Sequence, residues 1–362
     1  MKKPSKYKLC FAVTVWGQKY IDTFLTYSLP SLMSGNNIPS LVANDEFEFL
    51  IRTSEENVEY ILGSGAIEIL KKYIKVDIKG FEPFLFKGGE TEDRYWRMSS
   101  LHREIISYCA QINAGIVFLP SDVIWADGTI CNMQKIIEEK KPRVIVMCTL
   151  RSQEIKIKNY LDSNFLLNSE INKIITISSR ELVRIALDNP HEITKSRFID
   201  SSRFTTVPAH IYWRLGNEGL LARGAHLHPL YVHPQHYTLD FRTTYDADFL
   251  SMAVPNPEDY HVCDDSDILF FSDLTAAGDL SGILKKPAVA DEKRIASWIA
   301  KHTGPAHRTF LNTPIWIHTG IDKTVWAEQL EETKIFNNAV QPQVELFSNE
   351  IEKKNKENSS GE

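Results

Sequence analysis

The chain has no hydrophobic run near the roughly 18 residues of a membrane-spanning helix, no CxxC pair and no surplus of positive charge. Each absence removes a class of function. Its five cysteines, an odd number, stand far apart at Cys10, Cys109, Cys131, Cys148 and Cys263. That spacing argues against a disulfide framework or a structural zinc knuckle, and for buried thiols in a reducing compartment. Lys and Arg number 41 against 47 Asp and Glu, a net charge of −6, so the overall charge gives no case for nucleic acid. P-loop, GxGxxG and GxSxG patterns are missing, and Gly63-Ser64-Gly65 follows a helical pattern rather than a strand. It is therefore not a dinucleotide fingerprint. No internal repeat is visible. A basic start (Lys2, Lys3, Lys6, Lys8) precedes the apolar run 9–16, which is too short for a signal-peptide core and reads as a buried strand. The expected location is cytoplasmic, with no transmembrane segment and only a peripheral membrane association left open.

What is present is ordinary globular material: 362 residues, 43% hydrophobic, 24% charged and 10% aromatic, enough for one large domain or two. Over the first 150 residues strand and helix patterns alternate. Strands are expected at 9–15, 47–52, 73–78, 116–119 and 143–149, and helices at 20–32, 55–62, 66–72, 94–113 and 128–140. Gly115 is expected to end the long helix, and Asp127 to cap the last one. Such alternation predicts an α/β, Rossmann-type, doubly wound and mostly parallel sheet, whose ligands bind beyond the carboxyl ends of the strands. That rule singles out residues 14–17, 52–55 and 120–127. Residues 151–335 are expected to complete the site with short strands and helices, among them a strand at 268–271. Beyond Phe336 the Lys/Glu/Asn/Ser-rich sequence reads as a flexible polar tail, 336–362.

Four groups of residues could carry chemistry. Asp122 stands just past a buried strand in Pro120-Ser121-Asp122, where a carboxylate faces the ligand edge of the sheet; a turn is the plainer alternative. His226 and His228 alternate onto one face of an extended segment, where imidazoles can ligate a metal or bond a phosphate, unless they are only structural. Arg94 and Arg97 stand near a helix start with His102 beyond them, positioned to grip a diphosphate or to form a solvated face. In Cys263-Asp264-Asp265-Ser266-Asp267, Asp265 is the candidate general base, with an acidic turn as the alternative. The same string is a rival Asp-x-Asp metal site.

Together with the segments Val13-Thr14-Val15-Trp16-Gly17 and Leu50-Ile51-Arg52-Thr53, these residues resemble the GT-A-fold nucleotide-sugar glycosyltransferases. The resemblance covers about residues 8–150 plus the histidine pair. The sequence departs from the family's acidic motif: Pro120-Ser121-Asp122 stands where Asp-x-Asp is usual, so only Asp122 carries over. The resemblance implies a nucleotide-sugar donor held by residues 1–150, with Thr14, Trp16, Gly17 and Thr53 around the nucleoside and Arg97, His102, Ser121 and Asp122 toward the diphosphate. It also implies a divalent Mn²⁺ or Mg²⁺ on Asp122, His226 and His228, and a glycan or other hydroxyl acceptor, as in bacterial-type surface polysaccharide or glycoconjugate synthesis. Two rival readings remain: a metal-dependent hydrolase using His226/His228 and Asp264 to Asp267, and a non-catalytic sugar- or nucleotide-binding module.

Overall fold

The computed structural model describes residues 7–41, 46–81, 90–166, 174–241, 244–283 and 286–359; side chains are described except at 90–95, 166, 355, 358 and 359. In chain order the strands are β1 (Lys8–Thr14), β2 (Phe47–Ser54), β3 (Lys75–Phe81), β4 (Ala114–Phe118), β5 (Val123–Trp125), β6 (Val144–Met147), β7 (Leu150–Gln153), β8 (His210–Leu215), β9 (Gly219–Gly224), β10 (His228–Val232), β11 (Tyr260–Val262), β12 (Phe271–Thr275) and β13 (Ile315–His318). Seven of them form the main sheet in the order β3-β2-β1-β4-β10-β6-β11. All run parallel except β10, which is antiparallel to both β4 and β6. The expected mixed α/β architecture with a mostly parallel sheet is therefore present, with one reversed strand set into its middle.

The apolar strands are buried on both faces, and the period of two sorts their side chains. Along β1, Cys10 and Ala12 enter one core while Leu9, Phe11 and Val13 enter another on the opposite face. A small sheet, β5-β12-β7, and a second, β13-β9-β8, complete the molecule. The last packs on a third core, built with the helices Glu292–His302 and Ala327–Ser359.

Several local expectations change. The long helix spans Glu90–Ile112, and Asn113 turns the chain with φ 52°. Gly115 does not end that helix; it pairs with Leu9 inside the sheet. A β-carbon there would lie 2.7 Å from a ring carbon of Tyr231 and 3.2 Å from Leu9, so the position needs glycine for close approach. Gly115→Ala is expected to cost about 1–3 kcal/mol, read as a lowered urea midpoint; an unchanged midpoint would contradict this account.

Asp127 does not cap the helix Thr129–Lys140. Gly128 takes that position with φ 95°, and the Asp127 carboxylate accepts from Asn36 N and Nδ2 at 2.9 and 2.7 Å. The strand expected at 268–271 begins only at Phe271. The stretch read as a polar tail continues as helix to Ser359, and Phe336, Val340 and Val344 are buried. Their spacing of four is a helical stripe, diluted by Lys, Glu and Asn so that composition alone hides it.

Candidate functional site

β1 lies between β2 and β4, so the connections leaving β1 and β4 diverge above the sheet. In parallel sheets that divergence opens a crevice at the carboxyl ends. A cleft of about 360 Å³ lies there. It is lined from β1 by Thr14, Val15 and Trp16, and from β4 by Phe118 to Asp122. Gly17 shapes this edge without lining it: its φ of 77° turns the chain, and its carbonyl accepts from Tyr20 N and Ile21 N as the next helix opens.

His102 descends from the long helix and forms part of the cleft wall. Its Nε2 is 3.5 Å from Thr14 Oγ1, and its ring meets Phe118 and Tyr245 edge-on. Burial lowers its pKa to about 3, so it remains a neutral imidazole at working pH. Tyr245 stacks on Phe118 with centroids 4.3 Å apart and lines the same wall. Arg97 places its guanidinium 6.0 Å from the Trp16 ring centre, beside the cleft rather than in its lining. The side chain of Arg94 lies outside the described residues.

Asp122 enters the cleft immediately before β5. Pairing of β5 with β12 sets Val123 opposite Asp273, and Leu274 N donates to Asp122 O at 2.9 Å. Two acids from distant parts of the chain thus become neighbours. Burial, then the charge of Asp273, push the Asp122 carboxyl up to about 6, against the opposing effect of Arg151. Asp273 is itself oriented by the Thr149 hydroxyl, which donates to its Oδ2 at 2.8 Å. Asp273, Arg151, Tyr245 and Asp279 were not anticipated from sequence. Arg151 was within reach of the strand-end rule, because it follows the buried run of β6. Asp273 carried only the weaker signal of an acid inside an apolar strand.

Thr53 is buried, and the cleft's described lining does not include it. It adjoins Arg52, whose wholly buried guanidinium binds Asp77 (2.9 Å) and Glu104. β2 lies on the side of β1 away from β4, so this strand end supports the cleft from outside.

The reversal of β10 determines where the histidines go. An antiparallel strand beside β4 starts where β4 ends, and His228 Nε2 accordingly donates to Phe118 O at 3.1 Å. Burial lowers the pKa of His228. His226 lies 3.7 Å from Asp246, and both histidines bear electrostatically on that carboxylate. Burial alone would raise Asp246, but His226, a hydrogen bond from Thr244 and His228 bring it below its ordinary value. Among the described residues, Asp122, His226 and His228 do not form a group with ligand atoms within coordinating reach; the group of that kind is Asp265, Asp267 and His318, within 4.8 Å of one another. Its carboxylates are already engaged. Asp265 accepts from Lys323 at 2.5 Å and His318 at 3.2 Å, and Asp267 accepts from Arg180 at 2.7 Å. Burial alone would raise Asp265, but the bonds from His318, Lys323 and the Asp267 backbone outweigh it and hold Asp265 well below the usual carboxylate range. The described lining of the cleft does not include Asp265. Among the described residues, the expected metal set of Asp122, His226 and His228 is therefore not gathered into one preformed three-residue group. No helix among the described residues is long and apolar enough to cross a membrane.

No family model matches the chain, and no curated protein matches it. Solved structures do. The crystal structure of S. aureus TarS aligns at 14% identity over 39% of this chain and 21% of that one, with a TM-score of 0.26. Its 1–349 form in complex with UDP aligns at 15% identity over 39% and 35% of the two chains, with the same TM-score. The complex with UDP-GlcNAc gives 15%, 39% and 34%, again at 0.26. The match spans about a fifth to a third of those chains.

Proposed function

We propose that this chain transfers a sugar from a nucleotide-sugar donor to a hydroxyl-bearing acceptor. The observation that carries the reading is the cleft at the β1/β4 divergence, where an aromatic wall and a carboxyl of raised pKa face the same space. Trp16 offers a face for the donor's base, with Thr14 beside it and the neutral His102 closing the wall. Ser121 and Asp122 stand at the reacting end. A carboxyl with pKa near 6 is matched to accept a proton from an acceptor hydroxyl at neutral pH. Asp265, bound by a lysine and a histidine, is a far weaker base. Residues 151–335 supply β10, β12 and all but the first residue of β7, and with them the acceptor side. Because the donor set does not suit a preformed metal site, the steps assigned here are those of the chain's own groups.

A thermal-shift series with UDP, GDP, CDP, CMP and dTDP, each with and without Mn²⁺, tests the reading. One nucleotide is expected to raise the melting temperature through ligand linkage, and Trp16→Ala to weaken its binding about tenfold, roughly 1.4 kcal/mol. If none shifts the wild-type protein at millimolar concentration, the transferase proposal fails.

A further inference from the structure

We propose that Arg151 and Asp279 form an exchangeable anion latch: Arg151 is the group that takes the ligand's phosphate, and Asp279 holds it in place until that phosphate arrives. The inference rests on the cleft being a phosphate-bearing ligand's site and names the group that reads the phosphate. Arg151 is the one arginine or lysine among the described residues lining the cleft. Its backbone is fixed. Arg151 N donates to Thr194 Oγ1 at 3.1 Å, and Arg151 O accepts from the Thr194 hydroxyl at 2.8 Å and from His191 N at 2.9 Å. Across β7 and β12 it pairs with Asp273.

The head group is held far less firmly. Arg151 Nη1 is 3.8 Å from Asp279 Oδ2, and the two side chains are 40% and 36% exposed. An ion pair of that length and exposure contributes little and is easily exchanged. Asp279 is anchored through its other oxygen, Oδ1, which accepts from Ser281 N at 3.1 Å. Releasing Arg151 therefore leaves the Asp279 turn intact. A phosphate offers a guanidinium two oxygens in its own plane, a closer match than a carboxylate at 3.8 Å. The base of the arginine is rigid, its contact with Asp279 is long and exposed, and the cleft is open beside it; together these describe a cation that can exchange one anion for another.

The two partners predict opposite effects. Inorganic pyrophosphate is titrated calorimetrically into the full chain at pH 7. Asp279→Asn keeps the Ser281 bond, frees Arg151 and should tighten binding about two- to fivefold. Arg151→Gln should weaken it about tenfold or more. Glu350→Gln, the same change of charge on the C-terminal helix, should do nothing. Both cleft side chains are partly exposed, so folding is checked by an unchanged melting temperature. Unchanged or weaker binding in Asp279→Asn overturns the latch, as does no binding by wild type. Pyrophosphate binding without any nucleotide response upholds the latch and refutes the transferase reading, so the two fail separately.

Discussion

Asp122→Asn is expected to make the protein more stable at neutral pH and to cost activity about 10²- to 10⁴-fold. The carboxyl's ordinary value is 3.8, and the fold raises it to about 6. Below pH 3.8 both folded and unfolded chains carry the proton, and the position costs the fold nothing. Between 3.8 and 6 the folded chain binds more protons than the unfolded one, so stability falls as pH rises. Above 6 both are ionised and the full cost is present. A shift of roughly two units corresponds to about 3 kcal/mol. Asp122 lines an open cleft, and solvent screening reduces that to about 1–2 kcal/mol. Asparagine removes the charge and keeps the shape, so its melting temperature should exceed wild type by a few degrees at pH 7–8, with the gap closing below pH 4. A mutant less stable than wild type at pH 8, or a gap independent of pH, would show that the site does not hold a strained carboxylate. A more stable, inactive mutant is the pattern of a site kept at the fold's expense.

Arg52→Met is expected to destabilise the protein by about 3 kcal/mol or more. The guanidinium is fully buried, while Asp77 and Glu104 retain 29% and 26% exposure. Removing it leaves two carboxylates facing each other at the end of β2. Lys79, 3.8 Å from Asp77 and 3.5 Å from Glu104, offsets part of that repulsion. The triple variant Arg52→Met, Asp77→Asn, Glu104→Gln should regain most of the loss, because no buried charge is then stranded and the half-exposed Lys79 is solvated. Urea midpoints of the single and triple variants decide the matter, and a single variant within 1 kcal/mol of wild type would sink the prediction. The consequence reaches the cleft, because Val15 N donates to Arg52 O at 2.9 Å and Val15 lines it.

Several residues that line the candidate cleft were legible because strand ends can be read locally. Thr14, Trp16, Ser121 and Asp122 follow apolar runs whose length and β-branching mark them as buried strands, and the parallel-sheet rule says which end faces ligand. His102 was legible from its place about one turn beyond Arg97 on the long helix. Thr53 and Arg52 illustrate the limit of that rule. Every parallel strand has a carboxyl end, but only those beside the divergence open onto the cleft, and strand order is not written in any one segment.

The amino-acid sequence by itself determined the alternating α/β pattern, the buried runs of the parallel strands and three candidate ligand-facing strand ends, at residues 14–17, 52–55 and 120–127. All are properties of short windows, where periodicity and chain geometry act over a few residues. The tertiary structure alone decided that β10 runs backwards between β4 and β6, placing His228 against Phe118 O, and that β12 lies beside β5, bringing Asp273 to Asp122. It also decided that Asp265 meets Lys323 and His318 rather than the cleft. These depend on pairing between segments some 50 to 150 residues apart, set by the burial of whole faces and the register of whole strands. The charge state of Asp122 follows from that pairing, because a carboxyl's proton affinity depends on the neighbours the fold assembles around it.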